Sequence, residues 1–147
     1  MKILFIHEVN YRAKVVFEMH EFPELLSLAG HDVHFLEFAE DVGIRNSSLR
    51  TKRNVIAGRA YSEARITLIT PPTIGGGFID RILSLITVIL QLRKQIRKGG
   101  FDVIVGFFSN AQNAQNLLLK LQRDGFAARI IPGGTLIRVS AGNAQDA

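Results

Sequence analysis

Cysteine is absent from the 147 residues, which excludes disulfides, cysteine-ligated zinc and thiol nucleophiles and fits a cytoplasmic protein. No long Pro, Ser or Gln tract marks a flexible linker. Charged residues are too sparse, beside 47% apolar composition, for a disordered chain. No apolar run is long enough to span a bilayer. The candidate, ILSLITVILQL from Ile82 to Leu92, has about half the required length and is flanked by Asp80, Arg81 and Arg93, so a buried or interfacial helix is expected. The start MKILFIHE is too short for the apolar region of a secretory signal, and export is not expected. Two nucleotide fingerprints are missing as well. The run Gly75-Gly76-Gly77 lacks the Lys and Ser/Thr of a P-loop, and no GxGxxG follows the first apolar run. No spacing among His20, His31, His34 and the carboxylates suits a metal, so neither metal nor cofactor is expected.

What is present is a basic chain, with formal charge +5 and an isoelectric point near 10. Phosphate groups, nucleic acid and acidic membrane surfaces are therefore favoured partners electrostatically. The basic residues concentrate between Arg45 and Arg65, but only Tyr61 is interleaved with them. Base stacking is thus weakly supported and no specific nucleic-acid partner is expected; a solvated basic face is the default reading, and peripheral membrane contact is the better functional one if a lipid-linked acceptor is involved. The length allows one ordinary domain, or an incomplete domain with a smaller piece attached.

The pattern along the chain predicts an α/β fold. KILFIH reads as a strand buried on both faces. A helical segment from Lys14 to Ala29 follows, with a kink or restart expected at Pro23 and a stop at Gly30. HDVHFLEF alternates as a second strand, and the region from Glu40 to Arg65 loses periodicity and is expected to be loops. ARITLIT is the third strand, a helix spans about Ile79 to Lys98, and FDVIVGFF is the fourth strand. The remainder parses as a helix ending at Gly125, a strand FAARIIP, a turn at Pro132 to Gly134, and a strand GTLIRVSAG. The expected fold is a Rossmann-like, doubly wound, mainly parallel sheet, with a C-terminal β-α-β-β segment ending in an antiparallel hairpin.

In such a sheet ligands sit beyond the carboxyl ends of the strands. The candidate binding residues are accordingly His7, Glu8, Asn10 and Tyr11 after the first strand, Gly75, Gly76 and Gly77 before the long helix, and Ser109 and Asn110 after the fourth strand. His7 and Glu8 could accept a proton or bind a sugar hydroxyl, although polar residues also simply end strands. The glycines could present backbone N–H groups to a phosphate or merely form a loop. No catalytic residue is assigned.

Two resemblances follow from these motifs. MKILFIHE, LLSLAGHDVHFLEF and KGGFDVIVG together resemble the amino-terminal, acceptor-side domain of family-4-like GT-B glycosyltransferases, over Met1 to Gly106. The resemblance implies a sugar or lipid-linked acceptor and a nucleotide-sugar donor held by a second domain. Only about 40 residues follow Gly106, so such a domain would lack its donor half and is expected to be inactive alone. The glycine pair of that family's first loop is replaced by HEVNYRAKVVFE, and GFFSNAQ stands where a His is usual.

From Phe101 onward the chain resembles instead the SPOR domain, a βαββαβ module that binds peptidoglycan glycan strands. The carriers are VIVGFFSNAQNAQNLLLKLQRDGFAARII and LIRVSAG, with Arg138-Val139 before a Gly the most telling. Gly106 and Gly142 lie 36 positions apart, each read as following an apolar strand and preceding NAQ, like two half-repeats. Such a module stops short here, without its second helix and last strand, which leaves an open edge and points to a homodimer. The division expected is a glycosyltransferase-like segment over 1–100 and a SPOR-like segment over 101–147, in one sheet, as a chimera would have. The main functional reading is the acceptor-side transferase domain; the alternatives are a glycan-binding module or a scaffold without ligand.

Overall fold

Consecutive apolar residues in strand β1 (Lys2–His7) are all buried, because the strand has a core on each side. Leu4 and Ile6 enter one core and Ile3 and Phe5 the other, the period-two alternation of extended backbone. The computed structural model describes residues 1–7, 11–12, 18–37, 50–72, 77–108, 110–131 and 137–143, except the side chains of 18, 77–85 and 143.

The other elements are α1 (Glu18–Leu28), β2 (Asp32–Leu36), β3 (Lys52–Ala57), β4 (Arg65–Thr70), α2 (Gly77–Lys98), β5 (Val103–Phe108), α3 (Ala111–Arg123), β6 (Phe126–Ile131) and β7 (Ile137–Asn143). They build one seven-stranded sheet in the order β3-β4-β2-β1-β5-β7-β6. The four central strands, β4, β2, β1 and β5, run parallel. Both flanks are antiparallel, with β3 against β4 on one side and β7 against β5 and β6 on the other. The expectation of a mainly parallel sheet is therefore corrected to a mixed one. The reason is connectivity: short links join β3 to β4 and β6 to β7, and only crossovers of a dozen or more residues make parallel pairs.

A second correction concerns β3. The sequence KRNVIA has no apolar alternation, and five of its six residues are exposed. It is an edge strand held by its ladder to β4, and its charged side chains guard the edge. Helix α1 carries Pro23 inside one continuous run, so of the kink or restart expected there the restart is not seen. Its end is as expected. Gly30 has φ 86°, its N–H donates to Ser27 O at 3.0 Å and the His31 N–H donates to Leu26 O at 3.1 Å, the paired bonds of a Schellman stop.

Helices lie on both faces. Met19 and Leu26 of α1 pack with Phe5, Phe35, Ile66 and Leu68. On the opposite face α2 and α3 share one core, in which Leu92 and Ile96 meet Ile104, Leu117 and Leu121. The stripe Ala114, Leu117 and Leu121 drives α3 onto β5, β6 and β7, and each buried leucine contributes about 1.5–3 kcal/mol. Asn110 caps that helix, its Oδ1 accepting from the Gln112 N–H at 2.8 Å.

The strand order places the two halves of the chain in a definite relation. β5, α3 and β6 form a βαβ unit whose parallel strands are split by β7. A second such unit starting from β7 would put its last strand on the far side of β5. That position is occupied by β1, paired parallel to β5 from Ile3 to His7. The edge expected to be open on the SPOR-like segment is thus closed by the amino-terminal strand. α2 shares the core of α3, where a second helix of the module would pack.

Candidate functional site

Three places merit attention: the rim where the parallel strands end, a cavity between α2 and α3, and the face of β5, β7 and β6 opposite α3.

At the rim, the His7 ring is buried and stacks 6.0 Å from Phe107 and 6.5 Å from Phe35. Tyr11 is fully buried, and its hydroxyl donates to Glu24 Oε1. Glu24, also fully buried, accepts three backbone N–H bonds, from Arg59 at 2.6 Å, Ala60 at 2.8 Å and Tyr61 at 2.7 Å. Burial disfavours the charged carboxylate, but these donors outweigh it and hold its pKa below the usual carboxylate range. Burial, seconded by the Glu24 carboxylate, pushes the Tyr11 phenol far above its ordinary value. The Arg59 guanidinium donates to Tyr11 O at 3.0 Å, and His20 Nε2 lies 2.7 Å from the same oxygen. This network ties the segment after β1, helix α1 and the β3–β4 connection together. Gly58 lets them meet, since a Cβ there would lie 2.3 Å from Tyr61 O and 2.5 Å from Glu24 Oε2. A buried, saturated network of this kind organises a fold and leaves little capacity for a ligand.

The remaining candidates divide. Asn110 is engaged as the α3 cap, and Gly77 is the first residue of α2. Glu8, Asn10, Gly75, Gly76 and Ser109 lie outside the described residues. One carboxylate went unnoticed in the sequence. Glu37, just past β2, is buried; its Oε1 accepts from Thr70 Oγ1 at 2.5 Å, and Oε2 has no hydrogen-bond partner among the described residues. Its signal was the acid in FLEF, breaking an otherwise apolar strand. Among the described residues no three His, Asp or Glu side chains form a metal-ligand group.

The cavity has a volume of about 440 Å³ and lies over the carboxyl ends of β1, β2 and β5. Ile6, Leu36, Leu92, Phe108 and Leu117 form an apolar floor, and Arg93, Asn116 and Lys120 stand among the polar lining. Burial lowers the Lys120 pKa, and the nearby Arg93 adds to this, against an opposing pull from Asp124.

The third place is a surface. Ile137, Val139 and Ala141 of β7 face α3, so Arg138, Ser140 and Gly142 face the other way. Registers put Val105, Ser140 and Arg129 in one row across the sheet and Phe107, Arg138 and Ile131 in the next. Arg129 and Arg138 are exposed and sit diagonally, about 7–8 Å apart at the backbone. Val103, Val105 and Ser140 are half-buried, and α3 lies on the opposite face of these strands. The same face continues through Phe107 onto Phe5 and His7, where α1 and Tyr11 cover it. The two half-repeat glycines prove unequal. Gly106 lies within β5 under α3, where a Cβ would meet Phe108 and Leu117 at 2.6 and 2.8 Å, whereas a Cβ on Gly142 in β7 would meet no atom of the described residues within 4 Å.

Comparison with known proteins bears on the same segment: the family model of the SPOR domain matches residues 97–147. No curated protein and no solved structure matches the chain, and the resemblance to glycosyltransferases over the first hundred residues gains no support from these comparisons. No helix among the described residues is long and apolar enough to cross a membrane.

Proposed function

We propose that the segment from β5 to β7 is a glycan-binding module of SPOR type, and that glycan strands of peptidoglycan lie across its sheet face opposite α3. The match over residues 97–147 carries this reading. The chemistry of the face supports it. Sugars offer apolar C–H faces beside hydroxyls, and the surface offers half-buried Val103 and Val105 beside the donors of Arg129, Arg138 and Ser140. Neither arginine has an ion-pair partner among the described residues, so both forks are available to neutral or anionic oxygens. The amino-terminal half then serves as the frame that closes β5 and completes the core beneath the module. Its parallel strand order occurs in folds of many unrelated activities and carries no transferase proposal.

The test is an amide-resolved NMR titration of the full chain with denuded peptidoglycan glycan strands. Selective shifts at Val105, Arg129, Arg138 and Ser140 are expected, and Arg138→Ala should weaken binding about tenfold, the worth of roughly 1.4 kcal/mol. Shifts confined to α3, or none at saturating glycan, would reject the reading.

A further inference from the structure

We infer that the cavity between α2 and α3 binds an anionic amphiphile, a single acyl chain ending in a carboxylate or a phosphate. This site is on the opposite face of the sheet from the proposed glycan surface and does not rest on that reading.

Three observations converge on it. First, the cavity has a volume of about 440 Å³, within the roughly 300–1,000 Å³ of small-molecule sites, and its floor is aliphatic and aromatic. Second, its described lining contains two cations, Arg93 and Lys120, and no Asp or Glu. Arg97 follows one helical turn after Arg93, and its charge also disfavours protonated Lys120, so three positive groups are held near one another against their mutual repulsion. Asp124 is the acid that bears on Lys120, and it lies outside the cavity lining. An anionic head between Arg93 and Lys120 would relieve that repulsion, while an apolar tail would cover the floor. A neutral sugar would leave the cations opposed, and inorganic phosphate would leave the floor wet.

Third, the position is one where α/β sheets take ligands. Ile6 and His7 end β1, Leu36 ends β2 and Phe108 ends β5, and all four line the cavity. The order β4-β2-β1-β5 reverses direction between β1 and β5, and the crevice beyond the carboxyl ends at such a reversal is the general ligand position of these folds. Asn116 on α3 adds an amide beside the cations.

The experiment titrates the isotope-labelled full chain, below micelle concentrations, with dodecanoate, dodecyl phosphate, dodecyltrimethylammonium and inorganic phosphate. The two anionic amphiphiles should saturate at one per chain and shift the amides of Leu92, Asn116, Leu117 and Lys120. The cationic amphiphile and inorganic phosphate should bind at least tenfold more weakly. Lys120→Gln should cost at least fivefold for the anionic amphiphiles, and Arg93→Gln is the second variant should the first fail to fold. Val88→Trp, which places an indole in the cavity, should abolish binding without changing the spectrum of β7. Equal affinity for the cationic amphiphile, or unsaturable shifts spread over exposed Ile86 and Leu90, would overturn the assignment. Vesicles of phosphatidylglycerol and of phosphatidylcholine separate the two sources. Co-sedimentation with the former alone, lost in Lys120→Gln, identifies a membrane lipid; saturable binding of free amphiphile without co-sedimentation identifies a soluble one.

Discussion

Replacing Glu24 by Gln tests whether the buried network holds the amino-terminal half together. The carboxylate has four donors: the Tyr11 hydroxyl and the Arg59 N–H on Oε1, and the Ala60 and Tyr61 N–H groups on Oε2. An amide has one oxygen to offer. With it at the Oε2 position two bonds survive, the Tyr11 hydroxyl turns to accept, and the Arg59 N–H faces an NH₂. That orphaned donor costs about 1–3 kcal/mol, and the two surviving bonds lose charge assistance worth about 1 kcal/mol each. Sparing the protein a buried charge returns part of this, so we expect a net loss of about 3 kcal/mol at pH 7. Against a total of about 5–15 kcal/mol this is large. Urea unfolding followed by circular dichroism should show the midpoint falling by about 1–2 M. The pH dependence has a definite sign. The folded pKa of Glu24 is depressed, so its stabilisation is complete above the unfolded value of about 4.3 and is lost as pH falls through the folded pKa. The gap between wild type and Glu24→Gln must therefore be widest near neutrality and narrow below about pH 4. A loss under about 1 kcal/mol at pH 7, or a gap that grows on acidification, would refute the reasoning.

Two further predictions concern particular side chains. The Tyr11 phenol has a raised pKa in the folded protein, so its contribution to stability is full below the unfolded value of about 10 and declines at higher pH. Wild type should show a tyrosinate absorbance step that coincides with alkaline unfolding, and Tyr11→Phe should remove it; a step preceding the loss of circular dichroism and absent from the variant would contradict the burial. Gly106→Ala should destabilise by about 1–3 kcal/mol, because its Cβ would press on Phe108 and Leu117. Gly142→Ala should change stability by less than about 0.5 kcal/mol, since among the described residues nothing lies within 4 Å of the added carbon, and equal effects in thermal unfolding would show that the two glycines are equivalent after all.

Some of this was written in the chain's own periodicity. Short-range spacing determined where β1, β2, β4, β5, β6 and β7 run and where α1 and α3 stop, because alternation and glycine stops act within a few residues. It also determined that Arg138 and Val139 point to opposite faces, which defines the proposed glycan surface. The long-range arrangement came only with the tertiary structure. β3 has no apolar signature of its own, since its stability comes from the ladder to β4. The closure of β5 by β1 joins residues a hundred positions apart, and no local pattern encodes which strand fills an edge. The same holds for the cavity. Arg93 and Lys120 each read as an ordinary helical cation, and only the packing of α2 beside α3 on one sheet face brings them to a shared apolar floor. Glu24 and Tyr11 make the point most directly: a buried acid and phenol look like surface residues in sequence, because the backbone donors that stabilise them come from 35 to 37 residues away.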